Sequence, residues 1–162
     1  MQTKQENHSP SDVKPAPNEE DLTRAIEMLF FAYRDFVTLS DSLLSEYGFG
    51  RAHHRILHFV LRHKGISVAN LLGILQITKQ SLARVLRELI ESGYIEQQMG
   101  EKDRRKRLLF LTTKGEVLAN KLLSLQQQQL REALSQTGPL LFTHWQDFMQ
   151  ALCKEDYPLP SR

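Results

Sequence analysis

Cysteine is almost absent from this chain of 162 residues: Cys153, near the C-terminus, is the only one. No disulfide can form within the chain, which fits a reducing compartment, and Cys153 has no resolving cysteine for redox sensing. Long hydrophobic runs are missing too. Nowhere do eighteen apolar residues follow one another, so no membrane span and no membrane partner are expected. The first twenty residues are polar, broken by Pro10, Pro15 and Pro17, and lack the apolar centre of a signal peptide. A soluble, cytoplasmic protein is the expectation. Enzyme motifs are also lacking, with no phosphate loop, nucleophile motif or metal tetrad. The chain therefore reads as no enzyme, with no cofactor and no bound metal. Excess charge of one sign is scarce as well: the net charge is +2, too small to argue for nucleic acid alone.

Its distribution says more. The segment from Arg51 to Arg107 holds twelve Lys and Arg against five Asp and Glu, so the remainder is net acidic. A basic face on a nearly neutral protein requires that segregation. The length suits one domain, or one domain with an extension. Residues 1–20 have almost nothing to bury and read as a disordered tail. Over 21–50, Leu22, Ile26, Leu29, Phe30, Tyr33, Phe36, Val37, Leu43 and Leu44 recur at three- and four-residue steps, as in a long amphipathic helix. Such a stripe calls for a partner helix.

The segment 51–112 reads as a compact unit. A helix from Arg51 to about His63 stops at Lys64-Gly65, and Ser67 caps the next. After a turn at Gln76-Ile77, Thr78 caps a helix whose Leu82, Val85, Leu86, Leu89 and Ile90 face inward. Lys79, Gln80, Ser81, Arg84 and Arg87 are left outside. Two short helices joined by a tight turn, the second with an exposed polar start, make a helix-turn-helix candidate. Tyr94–Met99 and Arg107–Leu111 read as strands of a hairpin. Its tip, Lys102-Asp103-Arg104-Arg105-Lys106-Arg107, is basic at five of six positions. Over 113–157, Thr113 and Glu116 have capping-box spacing for a long helix, Gly138-Pro139 breaks the chain, and an apolar helix follows through Trp145 to Leu152. Mostly α with a small β-hairpin wing is the expected fold class, with helices at both ends forming a dimerisation region.

The chain from Leu22 to Leu152 resembles the MarR family of winged-helix transcription regulators. Asp103-Arg104-Arg105-Lys106-Arg107-Leu108-Leu109-Phe110-Leu111-Thr112-Thr113-Lys114-Gly115 looks like the family's wing signature, and Ile77 to Val85 looks like its recognition helix. The run Tyr47-Gly48-Phe49-Gly50-Arg51-Ala52-His53-His54-Arg55 is similar to the PetP-like branch. Leu72 and Gln76 depart from the pattern, standing where many members carry a small residue and a glycine.

The resemblance implies a homodimer on double-stranded DNA, one helix per half-site of a pseudo-palindrome, acting most simply as a repressor. Early in the reading helix, Gln80 suits adenine, Arg84 or Lys79 suits guanine, and Ser81 suits bases or phosphate, with Arg87 better placed for phosphate. The resemblance points to Arg105 for the minor groove, where narrow A·T stretches attract arginine. Asp103 cannot favourably approach phosphate and is read as orienting a loop arginine, while Lys102 and Arg104 divide between phosphate contact and solubility. A small aromatic or anionic effector is implied between the dimer helices and the winged domain, with Tyr33, Tyr47, Phe49, His53, His54 and Arg55 as candidate contacts. Two alternatives stay open: a winged-helix module that binds protein, and a metal-sensing regulator of this fold, since His54 and His58 stand four apart on one helix.

Overall fold

The computed structural model describes residues 16–100 and 106–153. The proline-broken start gives way at Asn18, whose Oδ1 accepts from the Glu20 and Asp21 amides at 2.9 and 3.0 Å. Asp21 returns the bond, its carboxylate accepting from the Asn18 N–H at 3.1 Å. This reciprocal cap starts helix α1 (Glu19–Ser45) three residues before the apolar pattern begins at Leu22. Packing divides the chain into a unit ending at Arg34 and a unit beginning at Asp35. In the first, every described residue is exposed, including the apolar stripe of Leu22, Ile26, Leu29, Phe30 and Tyr33.

The second unit holds the core. The end of α1 contributes Val37, Leu43 and Leu44, and helix α2 (Arg51–Arg62) contributes Ile56, Leu57 and Val60. Gly65, with φ +77°, turns the chain into strand β1 (Ile66–Ser67), which runs directly into helix α3 (Val68–Leu75). Ser67 caps α3 by accepting from the Asn70 N–H at 3.1 Å. Helix α4 (Lys79–Glu91) buries Leu82, Val85, Leu86 and Leu89, as its spacing predicts.

Strands β2 (Ile95–Met99) and β3 (Arg107–Leu111) pair antiparallel, with Gln97 opposite Leu109 and Met99 opposite Arg107. The hairpin is therefore borne out, but the sheet has a third strand that no sequence pattern announced. The order is β1-β3-β2, with Ile66 opposite Leu109. Two residues carry no periodicity, so β1 becomes visible only through its partner. Leu109, fully buried, lies at the centre of this small sheet.

Helix α5 (Thr113–Thr137) begins one residue earlier in its cap than the spacing suggests, for Thr112 and not Thr113 is the N-cap. Thr112 Oγ1 accepts from the Gly115 N–H at 3.1 Å and donates to the Gly93 carbonyl at 2.7 Å. That second bond ties the cap to the turn before β2. Helix α6 (Leu140–Leu152) buries none of its residues within the chain.

Candidate nucleic-acid interface

Thr78 organises the start of α4. Its Oγ1 accepts from the Ser81 amide at 3.1 Å and donates to the Ser81 hydroxyl oxygen at 2.8 Å. This pins the first turn of the helix while its outer face stays free of packing. Gln80, Ser81, Arg84 and Arg87 together line an open depression of about 480 Å³. Lys79, the fifth expected reader, lies on the other flank. There it shares with Arg87, Lys106 and Arg107 an open groove of about 1020 Å³ between α3, α4 and the wing, floored by Val68, Leu82 and Leu86. The outer face of α4 thus carries polar donors on one side and meets the base of the wing on the other.

The wing is held at its base. Gly100 donates to the Lys106 carbonyl at 2.9 Å, closing the hairpin around its tip. Lys114 Nζ donates to the Ser92 carbonyl at 3.0 Å and lies 4.2 Å from the centroid of the Tyr94 ring. Of the expected wing residues, Lys102, Asp103, Arg104 and Arg105 lie outside the described residues. Lys106 and Arg107, at the top of β3, are exposed.

A further residue belongs with the face, and the sequence reading passed it over. Glu88 Oε1 accepts from Arg84 Nη1 at 2.8 Å, and its Oε2 lies 2.7 Å from His53 Nε2. The His53 bond, aided by the Arg84 guanidinium, holds the Glu88 carboxyl below the usual carboxylate range. The signal was present in the sequence, as opposite charges four residues apart on one helix.

The candidate effector residues divide. Phe49 stacks on His53 at 4.6 Å and meets Tyr94 edge-on at 5.0 Å, and Tyr47 lies edge-on to Tyr94 at 6.4 Å. Both ring nitrogens of His53 are engaged, because Nδ1 accepts from the Gly50 N–H at 3.1 Å. Arg55 turns elsewhere, donating to the Leu75 carbonyl at the end of α3 at 3.1 Å. His54 is buried on α2, and Tyr33 is exposed in the first unit. Burial first, then the neighbouring positive groups, lowers the pKa of His54 and of His58 from the ordinary 6.5; Asp41 opposes this at His54. Among the described residues no three His, Cys, Asp or Glu side chains gather as a metal site requires, and no helix is long and apolar enough to cross a membrane.

Helix, turn, exposed helix and wing in this order define a winged helix-turn-helix protein. The MarR family profile matches residues 47–106. The HTH-type transcriptional regulator PetP of Rhodobacter capsulatus is 42% identical over 134 residues, covering 83% of this chain and 81% of that protein. The chain belongs to the MarR family, a family of DNA-binding transcription regulators and not of enzymes. Solved structures share the fold. Streptococcus pneumoniae FabT in complex with DNA superposes with a TM-score of 0.73 at 16% identity, covering 81% of this chain and 94% of that one. For S. aureus MepR in its DNA-binding conformation the TM-score is 0.68 at 17% identity, covering 81% and 95%.

Proposed function

We propose that this regulator binds double-stranded DNA as a homodimer, acts as a repressor, and releases its operator when a small molecule binds. The observation that carries the reading is the outer face of α4, where Gln80, Ser81, Arg84 and Arg87 are exposed around one depression. A major groove admits a helix, and these side chains match its donors and acceptors: Gln80 for adenine, Arg84 for guanine, Ser81 and Arg87 for bases or phosphate. Lys79, across the helix, joins Lys106 and Arg107 in following the phosphate backbone. At the wing tip, Arg105 would enter the minor groove, Asp103 would orient an arginine of the loop, and Lys102 and Arg104 would divide between phosphate contact and solubility.

Two-fold symmetry of the protein would match two half-sites roughly 10 base pairs apart. The apolar stripe of the first unit and the uncovered α6, with Leu140, Trp145 and Phe148 exposed, support a shared helical interface. In this organisation residues 51–112 read DNA, 21–50 and 113–157 join the protomers, and 1–20 form a tail. A small aromatic or anionic effector near Tyr47, Phe49 and His53 would stabilise a spacing of the reading helices that no longer fits the half-sites. The site of action is the cytoplasm, where the DNA is.

A mobility-shift assay with the DNA upstream of its own gene tests this reading. Retention at concentrations where unrelated DNA runs free, weakening steeply with salt, is expected. Equal retention of both DNAs would leave a winged-helix module with a merely basic surface.

A further inference from the structure

We propose that Glu88 is a positioning residue, holding Arg84 in the posture from which it reads a base, and that His53 ties Glu88 to the body of the domain. The proposal rests on the reading of α4 as the DNA-contacting helix.

An exposed ion pair four residues apart on a helix holds weakly, and the order found here, base before acid, is the less favourable one. Arg84 and Glu88 differ from such a pair because the carboxylate has a second, buried partner. The His53 side chain is 10% exposed, against 40% for Glu88 and 68% for Arg84, so the chain of contacts runs from interior to surface. At its inner end the ring is fixed three ways. Phe49 stacks on it, the Gly50 amide donates to Nδ1, and Nε2 meets Glu88 Oε2 at 2.7 Å. With the amide proton pointing at Nδ1, that nitrogen is an acceptor, so the ring proton sits on Nε2 and is donated to Glu88. The relay therefore runs Gly50 N–H to His53, His53 N–H to Glu88, and Glu88 to Arg84.

A carboxylate on a DNA-facing helix repels phosphate, so its place there calls for a compensating role. The guanidinium supplies one. It has five N–H groups, of which Glu88 occupies one on Nη1, leaving enough for the two acceptors on the major-groove edge of guanine. A free arginine loses rotamer freedom when it engages a base, and one already held loses less. The gain falls only on the base pair that Arg84 contacts. Everywhere else the negative charge of Glu88 acts alike on all sequences.

Glu88→Gln separates the two functions of the carboxylate. The amide oxygen still accepts from His53 Nε2, keeping the tie between α2 and α4, but the amide nitrogen offers Arg84 a donor where it needs an acceptor. The test takes the preferred duplex obtained by selection from a random pool. Affinities are then measured for that duplex and for each of its single-base-pair variants, with wild type, Arg84→Ala, Glu88→Gln and the double variant, alongside thermal midpoints. Glu88→Gln is expected to keep the wild-type midpoint and lose about tenfold of the preference at the base pair sensed by Arg84, a coupling usual for side chains in one network. Preferences at the other positions stay unchanged, and in the Arg84→Ala background the second substitution costs nothing more. A Glu88→Gln protein with wild-type preference at that base pair, or with equal loss at all of them, overturns the positioning role while leaving Arg84 as a reader. Wild-type preference everywhere in Arg84→Ala overturns the reader itself, and the positioning role with it.

Discussion

Gln76, at the turn between the two helices of the reading unit, has φ 48° and ψ 43°, a left-handed conformation that L-residues adopt at a cost. Among the described residues it alone has a positive φ without being glycine. The family resemblance places a glycine at this position in many members, and the conformation supplies the reason. Relief of about 1–2 kcal/mol of left-handed strain is partly offset by the greater freedom of glycine in the unfolded chain. Gln76→Gly should therefore raise stability by about 0.5 kcal/mol, seen as a higher denaturant midpoint with unchanged slope. At the residues proposed to face DNA the expected effects differ in kind. Arg84→Ala or Gln80→Ala should relax preference at particular base pairs by about 1–3 kcal/mol each, while Arg105→Ala should weaken binding to every sequence. Competition binding with single-base-pair variants distinguishes the two patterns. Residue types at these positions were legible in advance because the inward face of α4, from Leu82 to Leu89, leaves only one face for them. Glu88 was missed because its significance lies in His53, thirty-five residues earlier in the chain and adjacent only after folding.

Among the elements, the joint between β2 and α5 sets where the wing stands. Gly115 lies in the first turn of α5, and a Cβ built there would collide with the Tyr94 carbonyl oxygen and press against Leu111. Backbone cannot yield as a flexible side chain does. Gly115→Ala should cost about 2–3 kcal/mol, in the upper part of the usual overpacking range, and lower the thermal midpoint accordingly. The fold was legible where one residue decides locally, as Ser67 and Thr78 do in capping α3 and α4. It was less so where the deciding partner is distant. Thr112 wins the cap from Thr113 through the Gly93 carbonyl, and β1 exists through Leu108 and Leu109 of β3. Helix α2 carries a pH dependence. His54 and His58 have folded pKa values below 6.5, so the unfolded chain takes up protons first as the pH falls. Their contribution is fully present above pH 6.5 and is lost as the pH drops from there through the folded values. Thermal midpoints from pH 8 to pH 5 should show this decline, and a His58→Gln protein should show less of it.

For the whole molecule, the helices α1 and α6 each present apolar side chains that are exposed among the described residues. Ile26, Phe30, Leu140 and Phe148 are all more than half exposed. The proposed dimer interface would cover this surface and supply the two-fold symmetry that suits a pseudo-palindromic operator. Ile26→Glu with Phe30→Glu should give a monomer by sedimentation equilibrium and sharply weaken DNA binding, though α4 itself is untouched. The most direct measurement is selection of bound duplexes from a random pool, followed by sequencing. The expected outcome is a two-fold-symmetric site whose half-site centres lie roughly 10 base pairs apart, no longer enriched when Arg84 and Gln80 are replaced by alanine. A pool that returns no common sequence, or a single unsymmetric one, would contradict a dimeric reader built on α4.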